Sequence, residues 1–265
     1  MNNYKLIQGD FIEEMNKLID KGVKVDMVLT DPPYGTTACK WDSVIPFEHM
    51  WKCLNGLTYD NTPIALFGSE PFSSNLRMSN IYNYRYDWIW HKNSSGGFVN
   101  AKKMPMKYHE IISIFYKKQP TYNPQFQEYK DSNKQRFKND GRMNRSKQIE
   151  NSTNQIQDGL KGVECEIKLD RGKYPESVQY FKSVHNGNGT RLHPTQKPVK
   201  LLEYLIKTYT NKGDTILDFT MGSGSTGVAC VNTNRNFIGI EIDTNYYEIA
   251  NDRLNKANKQ NKLLQ

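Results

Sequence analysis

A glycine-rich turn between a strand and a helix, near the C-terminal end of the sequence, restricts the fold more than any other feature. The apolar run DTILDFT is followed by MGSGSTG, in which Gly222, Gly224 and Gly227 satisfy the pattern G-x-G-x-x-G. This pattern lets the backbone turn tightly, approach a bound nucleotide closely and start a helix. The sequence therefore predicts an open α/β sheet that binds a nucleotide-like ligand.

A carboxylate follows this turn at the distance along the chain at which such sites bind a ribose. Glu241 lies in the next predicted strand, NFIGIEI, 19 residues after Gly222. A carboxylate at this position can accept the hydrogens of both ribose hydroxyls. We interpret the two features as a site for an adenosine-containing ligand; the alternative is a tight turn followed by a surface acid.

The N-terminal end of the chain supplies the strands that complete this sheet. Only 24 residues follow Glu241, too few for the second half of a dinucleotide-binding domain. Residues 4–8, 11–19 and 25–30 read as strand, helix and strand, and Asp31 directly follows the second strand. The sequence thus predicts a doubly wound, Rossmann-like α/β sheet in circularly permuted order, with Asp31 near Gly222.

Further elements follow from apolar runs and from proline and glycine. Strands are predicted at 63–68, 84–90 and 110–116, and a helix is predicted to begin at Pro198 and to end before Gly213. A last helix follows Glu241, and the lysine- and asparagine-rich tail after Arg253 is expected to fray.

Four segments taken together resemble the amino-group DNA methyltransferases. They are VLTDPPYG near the N-terminus and LHPTQKPVKLLEYLI, LDFTMGSGSTG and NFIGIEID near the C-terminus. Their order resembles the permuted class, in which the DPPY tetrapeptide precedes the S-adenosylmethionine loop. The resemblance implies site-specific methyl transfer from S-adenosylmethionine to N6 of a flipped-out adenine in double-stranded DNA. Asp as the first residue of the tetrapeptide is usual for adenine enzymes, and methylation of cytosine N4 is the alternative.

The chemistry of an exocyclic amine explains the residue types of the catalytic tetrapeptide, Asp31, Pro32, Pro33 and Tyr34. The amine shares its lone pair with the ring, so it needs hydrogen-bond acceptors more than a strong base. Asp31 can accept one N–H, and Pro32, which has no N–H and restricts Asp31 to extended backbone, offers its carbonyl to the other. Tyr34 can stack on a base outside the duplex, at about 1–3 kcal/mol. The alternative is a proline turn that closes a strand.

The resemblance also implies cofactor contacts outside the glycine turn. Asp10 is similar to the acid that contacts the cofactor's adenine amino group, and it can also cap the following helix. Lys197, in LHPTQKP, can pair with the carboxylate at the methionine end. The implied cofactor-binding residues are Asp10, His193, Thr195, Lys197, Asp218, Gly222, Gly224 and Glu241. The sequence departs from many relatives at Phe219, where they have proline before the aromatic residue.

The middle of the chain differs in composition from both ends. Residues 117–150 lack apolar periodicity and hold nine lysines and arginines against four acids. Such a segment suits phosphate contacts. We therefore predict an inserted target-recognition segment at 117–190, between a catalytic half at 1–116 and an S-adenosylmethionine-binding half at 191–265. A solvated loop is the alternative, both here and for residues 94–103, which are a second candidate to cover the flipped base.

The composition limits the other classes of function. The net charge of +8 favours a polyanionic partner, and the four cysteines form no C-x-x-C pair, so no metal site is predicted. The absence of a signal-like apolar run predicts a cytoplasmic protein. A cognate restriction endonuclease and a homodimer are partners that the sequence leaves open. A nicotinamide-dependent oxidoreductase and a catalytically silent DNA-binding protein are the competing functions.

Overall fold

Strands from both ends of the chain build one mixed sheet. The computed structural model describes residues 4–35, 44–128, 172–184, 192–193 and 195–263. Within these residues the strands are β1 Tyr4–Gln8, β2 Met27–Thr30, β3 Ile64–Gly68, β4 Tyr84–Gly96, β5 Lys107–Phe115, β6 Val178–Tyr180, β7 Thr215–Asp218 and β8 Asn236–Glu241. Their order across the sheet is β1-β8-β7-β2-β3-β5-β4-β6. All neighbours pair in parallel except β5, which is antiparallel to β3 and to β4.

Helices cover both faces of this sheet. Among the described residues they are α1 Phe11–Asp20, α2 Phe47–Leu57, α3 Phe72–Ser79, α4 Val199–Tyr209, α5 Ser225–Asn232 and α6 Thr244–Leu263. Successive strand residues point to opposite faces, so Val28 packs in the core with α1, α2 and α3, whereas Met27 and Leu29 pack with α4, α5 and α6. The doubly wound α/β fold predicted from the sequence is confirmed.

Local signals account for the start of the first and fourth helices. The Asp10 carboxylate accepts hydrogen bonds from the amides of Ile12 and Glu13, at 2.9 and 3.2 Å, as an N-cap does. The predicted capping role of Asp10 is therefore confirmed. Pro198 precedes the first residue of α4, where its missing N–H costs no helical hydrogen bond.

The structure differs from the sequence predictions at the C-terminus. The helix α6 does not fray after Arg253 but continues to Leu263. Leu254 and Ala257 are buried against the rest of the fold, and the side-chain amide of Asn261 donates to the Val231 carbonyl at 2.8 Å. Apolar residues one turn apart hold the polar tail in place, so the expected fraying is wrong.

The chain divides into two compact units. One comprises Met1–Asn123 with Ser177–Gln265, and the other is Pro124–Glu176. In the second unit Gln127 and Lys173 form an isolated antiparallel bridge, and the rings of Phe126 and Tyr174 lie 4.9 Å apart. Most of the predicted recognition segment lies outside the described residues, and its role stays a prediction. The strand β6 falls within 117–190 yet belongs to the main sheet.

Among the described residues, no helix combines the length and the apolar composition that a membrane span requires.

Candidate active site

Two adjacent strands bring the tetrapeptide and the glycine turn together. The strands β2 and β7 pair in parallel, and both end at the same edge of the sheet. The Thr30 hydroxyl donates to Asp218 Oδ1 at 2.6 Å, and the Thr220 hydroxyl donates to the Asp31 carbonyl at 3.1 Å. Residues some 190 positions apart in the chain are thus fixed side by side, as the permuted strand order predicted.

The glycine turn holds the carboxylate that the sequence assigned to a ribose. Gly222 and Gly224 have φ of +50° and +76°, a left-handed conformation that suits glycine. The Gly222 amide donates to Glu241 Oε2 at 2.8 Å, and the Asp243 amide donates to Oε1 at 2.9 Å. Burial raises the pKa of Glu241, against the effect of these amides. The carboxylate is therefore oriented by backbone while oxygen lone pairs remain for a ligand.

A cavity of about 490 Å³ connects these parts. Its volume lies in the range of small-molecule and cofactor sites. Residues from both ends of the chain line it, among them Asp10, Phe11, Asp31, Pro33, Ile45, His193, Thr195, Lys197, Asp218, Gly222, Glu241 and Ile242. Nine of the twelve predicted catalytic and cofactor-binding residues therefore share one cavity, whereas Pro32, Tyr34 and Gly224 do not line it.

The wall next to Glu241 suits an adenosine group. Ile242, which follows this acid, lines the cavity and is 62% exposed, so it presents an apolar surface beside the carboxylate. Asp10 lies on the same wall, and both of its helix-capping bonds fall on Oδ1. An apolar surface, a ribose acceptor and a second carboxylate are what the predicted cofactor requires. Ile242 was not among the residues named from the sequence, where the available signal was its position directly after Glu241, the acid predicted to bind the ribose.

The Asp31 carboxylate is contacted on both oxygens. The Tyr34 hydroxyl donates to Oδ1, and the Lys197 ammonium donates to Oδ2. The side chains of Asp31 and Lys197 are 19% and 8% exposed. Lys197 was predicted at the cofactor's carboxylate, and the structure places it against the first residue of the tetrapeptide.

A second acid, which sequence reasoning missed, shares this lysine. Glu110, in β5, lies 3.5 Å from Lys197 Nζ and also pairs with Lys92 of β4. Asp31, Glu110, Lys197 and Lys92 thus form a charge-balanced cluster of two acids and two bases. The signal in the sequence was a lone acid at the edge of the apolar run EIISIF.

Burial and these charges together set the protonation of the cluster. Burial raises the pKa of Asp31, and Lys197 opposes this rise. At Glu110 burial acts in the same direction, but Lys197 and Lys92 outweigh it and lower the pKa. The acids outweigh the effect of burial on Lys197 and raise its pKa, so this lysine stays charged.

The Tyr34 ring packs beside the site. Its centroid lies 5.0 Å from that of Phe72 at the start of α3, and the two planes are tilted by 34°. Its hydroxyl is held by Asp31. The stacking of Tyr34 on a base stays a prediction.

The segment with His193 and Thr195 lies against the glycine turn. The Thr195 amide donates to His193 Nδ1 at 3.2 Å, and the His193 ring meets the Tyr246 ring at 4.2 Å. A Cβ on Gly222 would lie 3.6 Å from the His193 ring. The structure therefore places both residues at the cavity wall formed by this turn.

Asp218 lies beneath the turn and is 4% exposed. It accepts hydrogen bonds from Thr30 and from the Thr220 amide, and burial raises its pKa to about 6 despite these bonds. Phe219, where the sequence departs from its relatives, is buried and packs on Phe11 with centroids 5.5 Å apart. The aromatic ring belongs to the core beside the cavity.

The fold and the site define a class, the enzymes that bind a nucleotide cofactor at the carboxyl edge of a doubly wound sheet. A family model for N6 and N4 methyltransferases, described as DNA methylase, matches residues 25–252. The chain belongs to this family, which confirms the predicted S-adenosylmethionine-dependent DNA methyltransferase.

Individual relatives match over nearly the whole chain. The type II methyltransferase M.HpaI of Haemophilus parainfluenzae is 28% identical, over 94% of this chain and 74% of its own. The DNA adenine methyltransferase YhdJ of Escherichia coli strain K12 is 29% identical, over 95% and 83%. The crystal structure of the M1.HpyAVI–SAM complex is 25% identical with a TM-score of 0.64, and the match covers 95% of this chain and 99% of that one.

Proposed function

We propose that this enzyme methylates N6 of adenine in double-stranded DNA by direct transfer to a base that has left the duplex. One observation carries the proposal: the Asp31 carboxylate and the glycine turn lie in the same cavity, on adjacent strands. The relative YhdJ, named a DNA adenine methyltransferase, supports adenine as the target base.

The cofactor-binding residues divide into two groups. We assign the ribose hydroxyls to Glu241 and the adenine amino group to Asp10, with Gly222 permitting close approach of the ligand to the backbone. His193 and Thr195 are assigned to the methionine end. S-adenosylmethionine, when bound, supplies an electrophilic sulfonium methyl group.

Asp31 orients the amine. An ionised carboxylate accepts an N–H of the target amino group, and the Pro32 carbonyl is assigned to the other N–H. In the structure Tyr34 donates to Asp31 Oδ1, so the amine takes over this oxygen as the Tyr34 ring turns to stack on the base. The Lys197 contact to Oδ2 is compatible with this exchange.

In this proposal Lys197 pairs with Asp31. The resemblance instead implies that this lysine contacts the carboxylate of the cofactor. An ammonium group has three N–H donors. Two of them have acceptors, at Asp31 Oδ2 and at the Thr195 carbonyl, the latter at 3.3 Å, and Glu110 Oε2 lies 3.5 Å from the ammonium as a second ion-pair partner. The positive charge opposes the rise in the Asp31 pKa that burial causes and so favours the ionised acid, which is the better acceptor.

Replacement of Asp31 tests the assignment. Asp31→Ala should lower the methylation rate by at least about 100-fold, because the amine loses its acceptor. The affinity for S-adenosylmethionine, measured by calorimetry, should change little. Asp20→Ala, on the exposed end of α1, controls for the loss of one acid. Full turnover of Asp31→Ala on DNA would contradict the role of this residue.

The target base is tested separately. Wild-type enzyme is incubated with mixed-sequence DNA, and the modified nucleosides are identified by mass spectrometry. N6-methyladenine supports the proposal, whereas N4-methylcytosine would support the alternative that the sequence left open. Sequencing of the modified positions in the same DNA gives the recognition sequence.

The biological setting follows from the relatives. M.HpaI is named a type II methyltransferase, and we infer a restriction–modification setting with a cognate endonuclease in the cytoplasm for this chain too. A homodimer is the proposed oligomeric state, and light scattering of the purified protein tests it. Protection of DNA from cleavage after methylation tests the link to an endonuclease.

A further inference from the structure

The hairpin formed by β4 and β5 extends beyond the edge of the sheet at which the site lies. The last residue of β3, Gly68, pairs with Ile111, so the part of β5 before Ile111 runs past the carboxyl end of β3. Asp31 follows β2 at the same edge, because β2 and β3 are parallel. Lys107, farther along β5, contacts the Ser69 hydroxyl just after β3. The hairpin therefore projects from the edge of the sheet at which the cavity lies.

The end of this hairpin presents apolar side chains to solvent. Gly97, with φ +86°, turns the chain into the short 3-10 helix Phe98–Asn100. Phe98 is 81% exposed and Val99 is 94% exposed. Single exposed apolar residues are common, but two neighbours at the tip of a projecting element mark a binding surface.

The charge around this tip restricts what it can bind. Residues 92–109 contain four lysines and no aspartate or glutamate. Lys92 pairs with Glu110 and Lys107 with Ser69 at the base of the hairpin. Lys102 and Lys103 are exposed beside the apolar tip. An apolar point flanked by positive charge matches duplex DNA, which has a phosphate backbone around an apolar base stack.

The distance by which the hairpin extends beyond the level of Asp31 is suitable for contact with duplex DNA. Glu110 contacts Lys197, which contacts Asp31, so Glu110 marks the level of the catalytic acid. Lys107 lies three residues farther along the strand, about 10 Å at the usual rise. This height is comparable with the depth of a DNA groove, about 8.5 Å. A tip at that height can touch the stack while the displaced base reaches Asp31.

We propose that Phe98 and Val99 insert into the base stack at the target site, filling the space that the displaced adenine leaves, while Lys102 and Lys103 bind the adjacent phosphates. The proposal rests on the proposed function, since it assumes a base taken out of the duplex. In this proposal, contacts made by the hairpin 93–106 offset the free energy that is lost when the base pair opens. Apolar wedges in other DNA-bending proteins act on the stack in the same way.

A substrate in which the target base is already unpaired isolates this role. The variant Phe98→Ala/Val99→Ala should lower kcat/KM on fully paired DNA by about 5- to 100-fold, the size of one stacking interaction. On DNA with a mismatch at the target, where opening costs little, the loss should shrink to about twofold or less. An equal loss on both substrates would overturn the proposal.

The start of β4 offers a matched control. Tyr82 is 90% exposed and precedes β4, and therefore lies at the opposite edge of the sheet. Tyr82→Ala should leave both rates unchanged. All three replaced side chains are exposed, and thermal unfolding of each variant checks that the fold is kept.

A binding measurement separates failure of this proposal from failure of the proposed function. DNA with 2-aminopurine at the target position becomes brighter when that base leaves the stack. Wild type should raise the fluorescence and Phe98→Ala/Val99→Ala should not, whether or not any methyl group is transferred. An equal increase with both proteins would show that the tip plays no part in opening.

The lysines are tested through salt dependence. Lys102→Gln/Lys103→Gln should reduce the slope of log K against log salt by about 2, because two phosphate contacts are lost. Lys21→Gln/Lys24→Gln, two exposed lysines before β2 and therefore at the opposite edge of the sheet, should leave the slope unchanged. An unchanged slope for the first pair would mean that the hairpin does not lie on DNA.

Discussion

The ammonium of Lys197 is paired with the carboxylate of Asp31, although 166 residues separate them in the chain. Both groups are largely buried, and a buried ion pair loses much when one partner alone is removed. Here the pair joins the segment before α4 to the residue that follows β2. The charge of the predicted catalytic acid therefore depends on a residue from the segment that lies against the glycine turn.

Replacement of Lys197 by Met should move the pH dependence of methyl transfer. Only the ionised Asp31 is the strong acceptor, and Lys197 opposes the rise in the Asp31 pKa that burial causes. Without the lysine the pKa of Asp31 rises further, because burial and the charge of Glu110 then act on it without this opposition. Activity should therefore fall most at the acidic end of the pH range and recover partly as the pH rises.

Single-turnover rates across the pH range measure this shift. Lys200→Met is the matched control, because the Lys200 side chain is 82% exposed on α4. A loss by the same factor at every pH would indicate that Lys197 has only a structural role. Lys197→Arg, which keeps the charge, should keep the acid limb close to that of the wild type.

Glu241→Gln should weaken S-adenosylmethionine binding by about 10- to 100-fold, the value of one hydrogen bond to a charged group. The amide keeps one acceptor oxygen but turns an NH2 toward either the Gly222 amide or the Asp243 amide. The turn thus loses a contact, and the ribose loses a charged acceptor. Calorimetry measures the affinity, and Glu248→Gln on the exposed side of α6 is the control. An unchanged dissociation constant would remove Glu241 from the site.

The parts of the site that depend on a few neighbouring residues could be predicted from the sequence. The cap at Asp10, the turn at Gly222 and the strand before Asp31 each follow from a few neighbouring residues. Their assembly in one cavity followed from strand order, because adjacent parallel strands end at the same edge. The family motifs then supplied the chemistry.

Other features depend on contacts that no local pattern encodes. The helices α2 and α3 were not predicted, and neither starts with a side-chain cap. The three-residue strand β6 is defined only by pairing with β4. The pairing of Lys197 with Glu110 and Asp31 joins three distant segments, so the sequence offered only a lysine near a helix start.

Asp218→Asn should change how stability depends on pH. Burial raises the Asp218 pKa from 3.8 to about 6, so the folded state keeps this proton at a pH where the unfolded chain releases it. Stability from this group is therefore lost as pH rises from about 4 to about 6, by about 3 kcal/mol. Asparagine mimics the protonated form of Asp218. As the pH rises from 4 to 7, the unfolding free energy of the variant should therefore increase relative to that of the wild type by up to this amount.

Urea unfolding at several pH values tests this difference. Asp252→Asn, on the exposed side of α6, controls for the removal of one acidic side chain. A difference between Asp218→Asn and wild type that is the same at every pH would contradict the assigned protonation of Asp218.

The two left-handed glycines of the turn should respond differently to alanine. At Gly224 a Cβ would lie 2.8 Å from Ala250 Cβ, so strain and overpacking add, and Gly224→Ala should lower the unfolding free energy by about 2–5 kcal/mol. At Gly222 the nearest atoms, on His193, are 3.6 Å away, so Gly222→Ala should cost only about 1–2 kcal/mol. Gly222 lines the cavity, however, so the methyl group of the introduced alanine should reduce the free energy of cofactor binding more than it reduces the free energy of unfolding. Urea unfolding and calorimetry on both variants measure the two effects, and equal losses of stability would contradict the packing around Gly224.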